Sequence, residues 1–229
     1  MKALIVDDER IARRELQRLL ASHPEIKVVG EARSGEEALA VIDRCLPDVL
    51  FLDIHMPGMS AFDLLEKLND VPQVIFTTAY DTYALKAFDA GALDYLVKPV
   101  APNRLAAAVA KLRPTLAPSR LLNQVFVKDS DRCWLVRVSD IYLLESEGNY
   151  TRLYFGKERP LIPRSLSALQ ERLDPAVFFR AGRKHIVNLK WVEGVEAGVG
   201  GGLLICLRGG SQVEMSRRQS ILFREALSL

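Results

Sequence analysis

The sequence is short of thiols, of long apolar runs and of charge of one sign, and each shortage excludes something. Its three cysteines, Cys45, Cys133 and Cys206, are odd in number and far apart. That spacing builds neither a disulfide framework nor a thiolate metal site, and ordinary core thiols are the reading. No apolar stretch approaches the ~20 residues that span a bilayer. The start of the chain, Lys2 and a short apolar run that meets Asp7, Asp8 and Glu9, lacks the form of a signal peptide. A cytoplasmic protein with no membrane partner is the expectation. After residue 120 the one histidine is His185, with no Ser-His-Asp spacing and no phosphate-cradling glycine loop around it. Gly200-Gly201-Gly202 has no Lys-Ser/Thr after it and reads as a turn between strands. Catalysis by that half is not indicated.

What is present fits two globular domains. The chain has 229 residues, 49% of them apolar and 26% charged, ordinary values for a water-soluble fold. The net charge of +2 is unevenly distributed. Lys and Arg number 15 against 17 Asp and Glu through residue 120, and 16 against 12 beyond it. The basic second half hints at a polyanionic partner.

The first half alternates strand and helix signals. Apolar runs at 2–6, 26–32, 49–52, 73–77 and 93–97 read as strands. Between and after them, residues 10–21, Ser34 to Cys45, Ala61–Leu68, Thr82–Ala90 and Arg104–Leu112 read as helices, the first with Ile11, Leu16, Leu19 and Leu20 on one side. Ser34, with Glu37 three residues on, has the spacing of a capping box. Five such repeats predict a doubly wound α/β domain, a five-stranded parallel sheet with helices on both faces (flavodoxin-like). Right-handed crossovers then put its site outside the carboxyl ends of the strands.

Five polar residues sit at those ends: Asp7 and Asp8, Asp53, Thr78 and Lys98. Asp53, next to the Pro57-Gly58 turn, is expected to be exposed at the rim. Carboxylates crowded together repel, and a hard divalent cation relieves them; Mg2+ takes oxygen ligands and keeps waters and phosphate oxygens. Asp8 and Asp53 are the expected direct ligands, with the backbone carbonyl of His55, and with Asp7 acting through water. Asp53 could then attack phosphorus to give an aspartyl phosphate. Lys98 would neutralise phosphoryl oxygens and Thr78 would donate its hydroxyl to them. Alone, each residue has a plainer explanation: an Asp pair caps a helix, and Lys-Pro makes a solvated turn. Their joint occurrence in this order carries the reading.

Ile5-Val6-Asp7-Asp8-Glu9, Leu52-Asp53-Ile54-His55-Met56-Pro57-Gly58, Thr77-Thr78-Ala79 and Tyr95-Leu96-Val97-Lys98-Pro99 give residues 1–112 a close resemblance to the receiver domains of bacterial two-component response regulators. The resemblance implies that Asp53 takes a phosphoryl group from the phosphohistidine of a sensor histidine kinase. It implies that Thr78 and Tyr95 form a switch pair, and that the face around residues 81–112 pairs receivers into homodimers. One departure stands out. Ser60-Ala61 replaces the usual Asp or Asn followed by Gly, so Ser60 can cap a helix while a glycine's freedom at positive φ is lost.

The second half changes rhythm. Short β-like runs at 125–127, 134–136, 141–144, 152–155, 192–195, 203–207 and 212–215 surround one helix near Ser165–Leu173, and a last helix opens at Arg217. A mainly β domain is expected, behind a proline-bearing segment that denies a helix. The domain limits follow: 1–113, a linker at 114–122, and 123–229. Basic and amide residues gather on three loops: Asn149, Tyr150, Thr151 and Arg152; Arg180, Arg183 and Lys184; Arg217 and Arg218. Such side chains neutralise phosphates and read base edges of duplex DNA. Leu144-Glu145-Ser146-Glu147-Gly148-Asn149-Tyr150, Phe179–Asn188 and Val213–Arg218 resemble LytTR-type DNA-binding domains, which implies loops, not a recognition helix, in successive major grooves. Gly182-Arg183-Lys184 stands where that family commonly has His-Arg-Ser, so base preference at this loop would differ. The whole chain is expected to be a phosphorylation-controlled transcription regulator and not an enzyme. Two other readings compete: a phosphatase with an aspartyl nucleophile, which would need an Asp where His55 stands, and a protein- or RNA-interaction module in the second half.

Overall fold

The computed structural model describes residues 1–79, 92–113, 121–129 and 132–227. The expected helix at Thr82–Ala90 and most of the 114–122 linker lie outside these residues. The chain packs as two units, Met1–Ser119 with Asn123–Leu135, and Arg120–Leu122 with Val136–Leu229.

The first unit is built on β1 (Lys2–Val6), β2 (Lys27–Ala32), β3 (Val49–Asp53), β4 (Gln73–Thr78) and β5 (Asp94–Val97). They pair in parallel in the order β2-β1-β3-β4-β5. The order reverses between β1 and β3, the switch point beside which such sheets bind ligands. β3 is buried along its whole length, and so reads as an unbroken apolar run. Alternate residues of the strands face opposite layers. Ile5, Phe51, Ile75 and Leu96 meet Leu16, Leu19 and Leu20 of α1 (Arg10–Leu20) and Leu105, Ala108 and Val109 of α4 (Pro102–Val109). Leu4, Val6, Leu50, Leu52 and Phe76 meet Val41 and Ile42 of α2 (Gly35–Cys45) and Leu64 and Leu65 of α3 (Ala61–Lys67). Each fully buried Leu, Ile or Phe contributes roughly 1.5–3 kcal/mol.

Among the described residues of this unit the helix signals hold with two revisions. Ser34 and Ser60 cap α2 and α3, accepting from the backbone N–H of Glu37 and of Asp63. Ile11 is 81% exposed rather than part of the buried stripe of α1. Leu16, Leu19 and Leu20 follow helical spacing, and a position five before Leu16 points well away from them. α4 starts at Pro102, earlier than Arg104, because proline suits the first helical position.

One element joins the first unit against expectation. β6 (Gln124–Asp129) and β7 (Arg132–Arg137) form a two-stranded sheet, and Phe126 and Leu135 enter the same core as α2, α3 and β4. Phe126 stacks on Phe62 at 6.2 Å between ring centroids, and Phe62 tilts against Phe76 at 5.6 Å. The Val71 N–H donates to the Gln124 carbonyl at 3.4 Å, and Lys128 Nζ lies 3.6 Å from Asp63. Residues 123–135 therefore group with the first unit.

In the second unit β8 (Leu143–Glu147), β9 (Tyr150–Tyr154), β10 (Leu161–Ile162), β11 (Phe178–Arg180) and β12 (His185–Asn188) form an antiparallel sheet in the order β10-β9-β8-β12-β11. β13 (Val192–Ala197), β14 (Leu203–Leu207) and β15 (Gln212–Met215) form a second sheet. Their apolar faces enclose Tyr142, Val187, Ile205, Val213 and Phe223, the last from α6 (Arg217–Leu227). α5 (Leu166–Gln170) is capped by Ser165 and stops short of the expected Leu173. The three cysteines form no disulfide and are half-buried.

Candidate functional site

The carboxyl ends of β1, β3, β4 and β5 bring the expected residues of the first unit together. Asp7 follows β1, Asp53 and Thr78 end β3 and β4, and Lys98 follows β5. Lys98 Nζ lies 2.6 Å from Asp53 Oδ2 and 2.8 Å from Asp7 Oδ2. The Lys98 N–H also donates to the Thr78 carbonyl at 2.8 Å, which fixes β5 against β4 at the rim. One carboxylate oxygen from each of Asp7, Asp8 and Asp53 lies within 4.8 Å of the others.

Burial differs from expectation. Asp53 and Asp7 are each only 4% exposed, so Asp53 is covered rather than open at the rim, while Asp8 is exposed. The remaining oxygens of the buried pair hold backbone: Asp53 Oδ1 accepts from the His55 N–H at 3.1 Å, and Asp7 Oδ1 from the Glu9 N–H at 2.9 Å. Burial pushes the Asp7 carboxyl above its ordinary range, although Lys98 pulls the other way. Burial draws the Lys98 ammonium down, but its bonds to Asp53 and Asp7 outweigh that and hold it above its ordinary value. Three carboxylates against one ammonium leave two negative charges unbalanced, and the donor set is all oxygen. That combination suits a hard divalent cation.

The other expected residues differ in burial. The His55 side chain is exposed, and so is available to solvent while its backbone serves the acidic rim. Thr78 is fully buried. Tyr95 is half-buried and packs against the core that contains Phe76. Gly58, at φ 80°, supplies the left-handed turn after Pro57, whereas Ser60 has an ordinary φ of −68° and Ala61 is already helical. The Ser60-Ala61 departure therefore costs the loop nothing. Arg13 was not singled out from the sequence. Its guanidinium donates to the carbonyls of Asp7 and Asp8 at 2.7 and 3.3 Å and bonds Glu31 at 3.0 Å, which holds the end of β1. Nothing in its spacing announces that role.

In the second unit the three loops meet at one end. β12 runs antiparallel to β8, with His185 opposite Glu145, and the Ser146 N–H donates to the Lys184 carbonyl at 2.8 Å. The β8–β9 turn and the β11–β12 turn thus leave the same edge of the sheet. Gln219 of α6 donates its amide to the Arg180 carbonyl, which brings the start of α6 alongside.

The expected contact residues there divide into two sets. Asn149, Tyr150, Arg183, Lys184 and Arg218 are exposed, with no side-chain partner among the described residues. The others are engaged. Thr151 is fully buried and its hydroxyl donates to the Arg164 carbonyl at 2.7 Å, so it cannot reach a ligand as expected. Arg152 pairs with Glu147, Nη2 to Oε2 at 2.9 Å, and donates to the Arg159 carbonyl at 2.7 Å. Arg217 Nε donates to the Gly200 carbonyl. Arg180 Nε and Nη2 donate to the carbonyls of Gly182 and Arg183 at 2.6 and 2.7 Å.

Known proteins resemble both halves of the chain. Residues 3–110 match the response regulator receiver domain family, and residues 131–228 match the LytTr DNA-binding domain family. The chain is a LytTR-type response regulator. Sensory transduction protein LytT of Enterococcus faecalis is 33% identical over the whole of both chains. Transcriptional regulatory protein BtsR of Escherichia coli is likewise 33% identical over the whole of both chains. Among solved structures, the response regulatory domain of protein mrkE from Klebsiella pneumoniae is 32% identical, with a TM-score of 0.45, and covers 49% of this chain and 94% of that one. The response regulator thus joins a two-component receiver to a DNA-binding domain that regulates transcription. No helix among its described residues is long and apolar enough to cross a membrane.

Proposed function

We propose that this response regulator is phosphorylated on Asp53 by a sensor histidine kinase, and that its second domain then binds duplex DNA through one end of its five-stranded sheet. The observation that carries the reading is the Lys98 ammonium bridging Asp53 and Asp7 at 2.6 and 2.8 Å. An Asp53 oxygen attacks phosphorus; the P–O bond forms as the P–N bond to the donor's imidazole breaks, and the electron pair returns to that nitrogen. Lys98 neutralises the phosphoryl oxygens and the Thr78 hydroxyl donates to them. Asp8, Asp53 and the His55 carbonyl would hold Mg2+, with Asp7 acting through water, and the ion would supply positive charge at the same oxygens. Thr78 moving toward the phosphoryl group, with Tyr95 turning inward beside it, passes the change to the surface. Pairing of two copies around residues 81–112 then sets two DNA-binding domains on neighbouring half-sites, which raises avidity. The residues that reach DNA in this reading are Asn149, Tyr150, Arg183, Lys184 and Arg218, with Arg217 beside them.

The test is labelling with a small phosphodonor in the presence of Mg2+. Wild-type chain should take up one acid-labile phosphoryl group, and Asp53→Asn should take up none while melting as the wild type does. Strong residual labelling of Asp53→Asn at another residue rejects Asp53 as the acceptor. Turnover of small phosphate esters by the wild type would point instead to a phosphatase.

A further inference from the structure

Arg180 carries a cationic fork at the foot of the β11–β12 turn, and it faces into the turn. Nε and Nη2 donate to two carbonyls of that turn, Gly182 at 2.6 Å and Arg183 at 2.7 Å, and Nη1 lies 3.3 Å from Gln170 Oε1 of α5. Its own carbonyl accepts from Gln219 of α6. Ala181 is buried and Gly182 is half-buried, while Arg183 and Lys184, the next two residues, are exposed. The turn is closed across the ladder as well: the Ala181 and Gly182 N–H groups both donate to the His185 carbonyl, at 3.0 and 3.3 Å.

These bonds tie the turn to α5 through the Arg180 guanidinium and to α6 through the Arg180 carbonyl. A guanidinium suits the place because its planar fork can hold two carbonyls at once in a fixed geometry, which an ammonium on a flexible stem does not. We propose that Arg180 is a positioning residue for DNA binding: it does not touch the duplex, but holds the turn so that Arg183 and Lys184 face the phosphates and base edges. The inference rests on the reading that Arg183 and Lys184 contact DNA. It assigns Arg180 a role different from that of its exposed neighbours, although in sequence all three form one basic cluster.

A double-mutant cycle separates the roles. Binding of the full chain to a fluorescent duplex, recovered by selection against the wild type, is measured by anisotropy for Arg180→Lys, for Arg183→Ala with Lys184→Ala, and for the triple variant. Arg180→Lys keeps the charge and the stem but loses the fork, and is expected to weaken binding about tenfold, the effect of losing roughly one charge-assisted hydrogen bond's worth of order. In the Arg183→Ala/Lys184→Ala background the same change is expected to alter binding less than about twofold, because nothing remains for the turn to present. Arg180→Lys at wild-type affinity overturns the proposal, since a phosphate contact tolerates lysine. An equal loss in both backgrounds overturns it as well, because Arg180 then acts on the DNA or on the whole fold; thermal melting tells these two apart. If the Arg183→Ala/Lys184→Ala chain binds as tightly as the wild type, the contact reading itself has failed, and with it this one.

Discussion

Phe126→Ala is the most decisive single change for the domain boundary. The side chain is only 8% exposed, although it lies beyond the linker and its neighbours Lys128 and Asp129 are exposed. Its ring stacks on Phe62 of α3, which leans on Phe76 of β4, so a three-ring column runs from the hairpin into the sheet. Removing a buried Phe costs the transfer free energy of the ring plus the cavity it leaves, typically about 3–5 kcal/mol. The hairpin lies at the margin of the α2–α3 layer and can settle into the gap, so the lower end, about 3 kcal/mol, is expected. For a unit of this size that loss lowers the melting temperature by about 10 °C. Lys128→Ala is the control. Its side chain is 40% exposed and its ammonium lies 3.6 Å from Asp63, and such a pair is worth less than about 1 kcal/mol.

The readout that matters is where protection is lost. Hydrogen exchange followed peptide by peptide on the intact chain should show Phe126→Ala opening α3 and β4 more readily. β8, β12 and β14 should exchange as in the wild type. The opposite pattern, with the second unit loosened and α3 and β4 unchanged, would refute the packing argument.

Three further outcomes are expected. Lys98→Ala leaves two buried carboxylates without their shared ammonium and should cost about 3 kcal/mol. Added Mg2+ should restore melting of Lys98→Ala more than it raises the wild type, and a variant as stable as the wild type without Mg2+ would contradict the geometry. Tyr154 donates to Glu145, and burial first, then that bond, pushes its phenol from 10.0 up to about 12. The fold holds the neutral form, so this stability is complete below pH 10 and lost as pH rises through about 12; in an alkaline absorbance titration, Tyr154→Phe should remove a phenol that ionises near 12. Binding of one DNA-binding domain to duplex DNA should show a log–log salt slope of about −3.6, for Arg183, Lys184, Arg217 and Arg218 on phosphates, whereas a slope near −5.4 would mean that Arg152 and Arg180 are on the DNA as well.

The first unit was legible because its chemistry and its burial speak together. Strands covered on both faces read as unbroken apolar runs, and each run stops at a polar residue whose place at the sheet edge follows from parallel order: Asp7, Asp53, Thr78, Lys98. A lysine and three carboxylates at one edge have few reasons to meet other than a shared ligand. What stayed hidden depends on partners remote in sequence. Nothing local says that Phe126 packs on Phe62, or that Arg13 reaches back to the carbonyl of Asp7. β11 and β12, with three and four residues, are too short to show alternation. Phe178-Phe179-Arg180 and His185-Ile186-Val187-Asn188 do carry aromatic and β-branched residues on either side of a glycine turn, which is the signal that could have found them.

The second unit shows why composition overstates a binding surface. Counting cations treats Arg152, Arg180, Arg183 and Arg217 alike, yet a guanidinium has five donors and folding competes for them. At Arg152 a carboxylate neutralises the charge; at Arg180 two carbonyls take up the fork; at Arg217 only Nε is engaged. A charge held by neutral carbonyls still contributes to the field that draws in DNA, but only an unengaged fork can close on a phosphate or a guanine. Arg183 and Lys184 are exposed, whereas their neighbour Arg180 is turned into the turn. In the proposed reading the turn owes its binding geometry to one cation turned inward and its affinity to two turned outward, a division that no count of charge can contain.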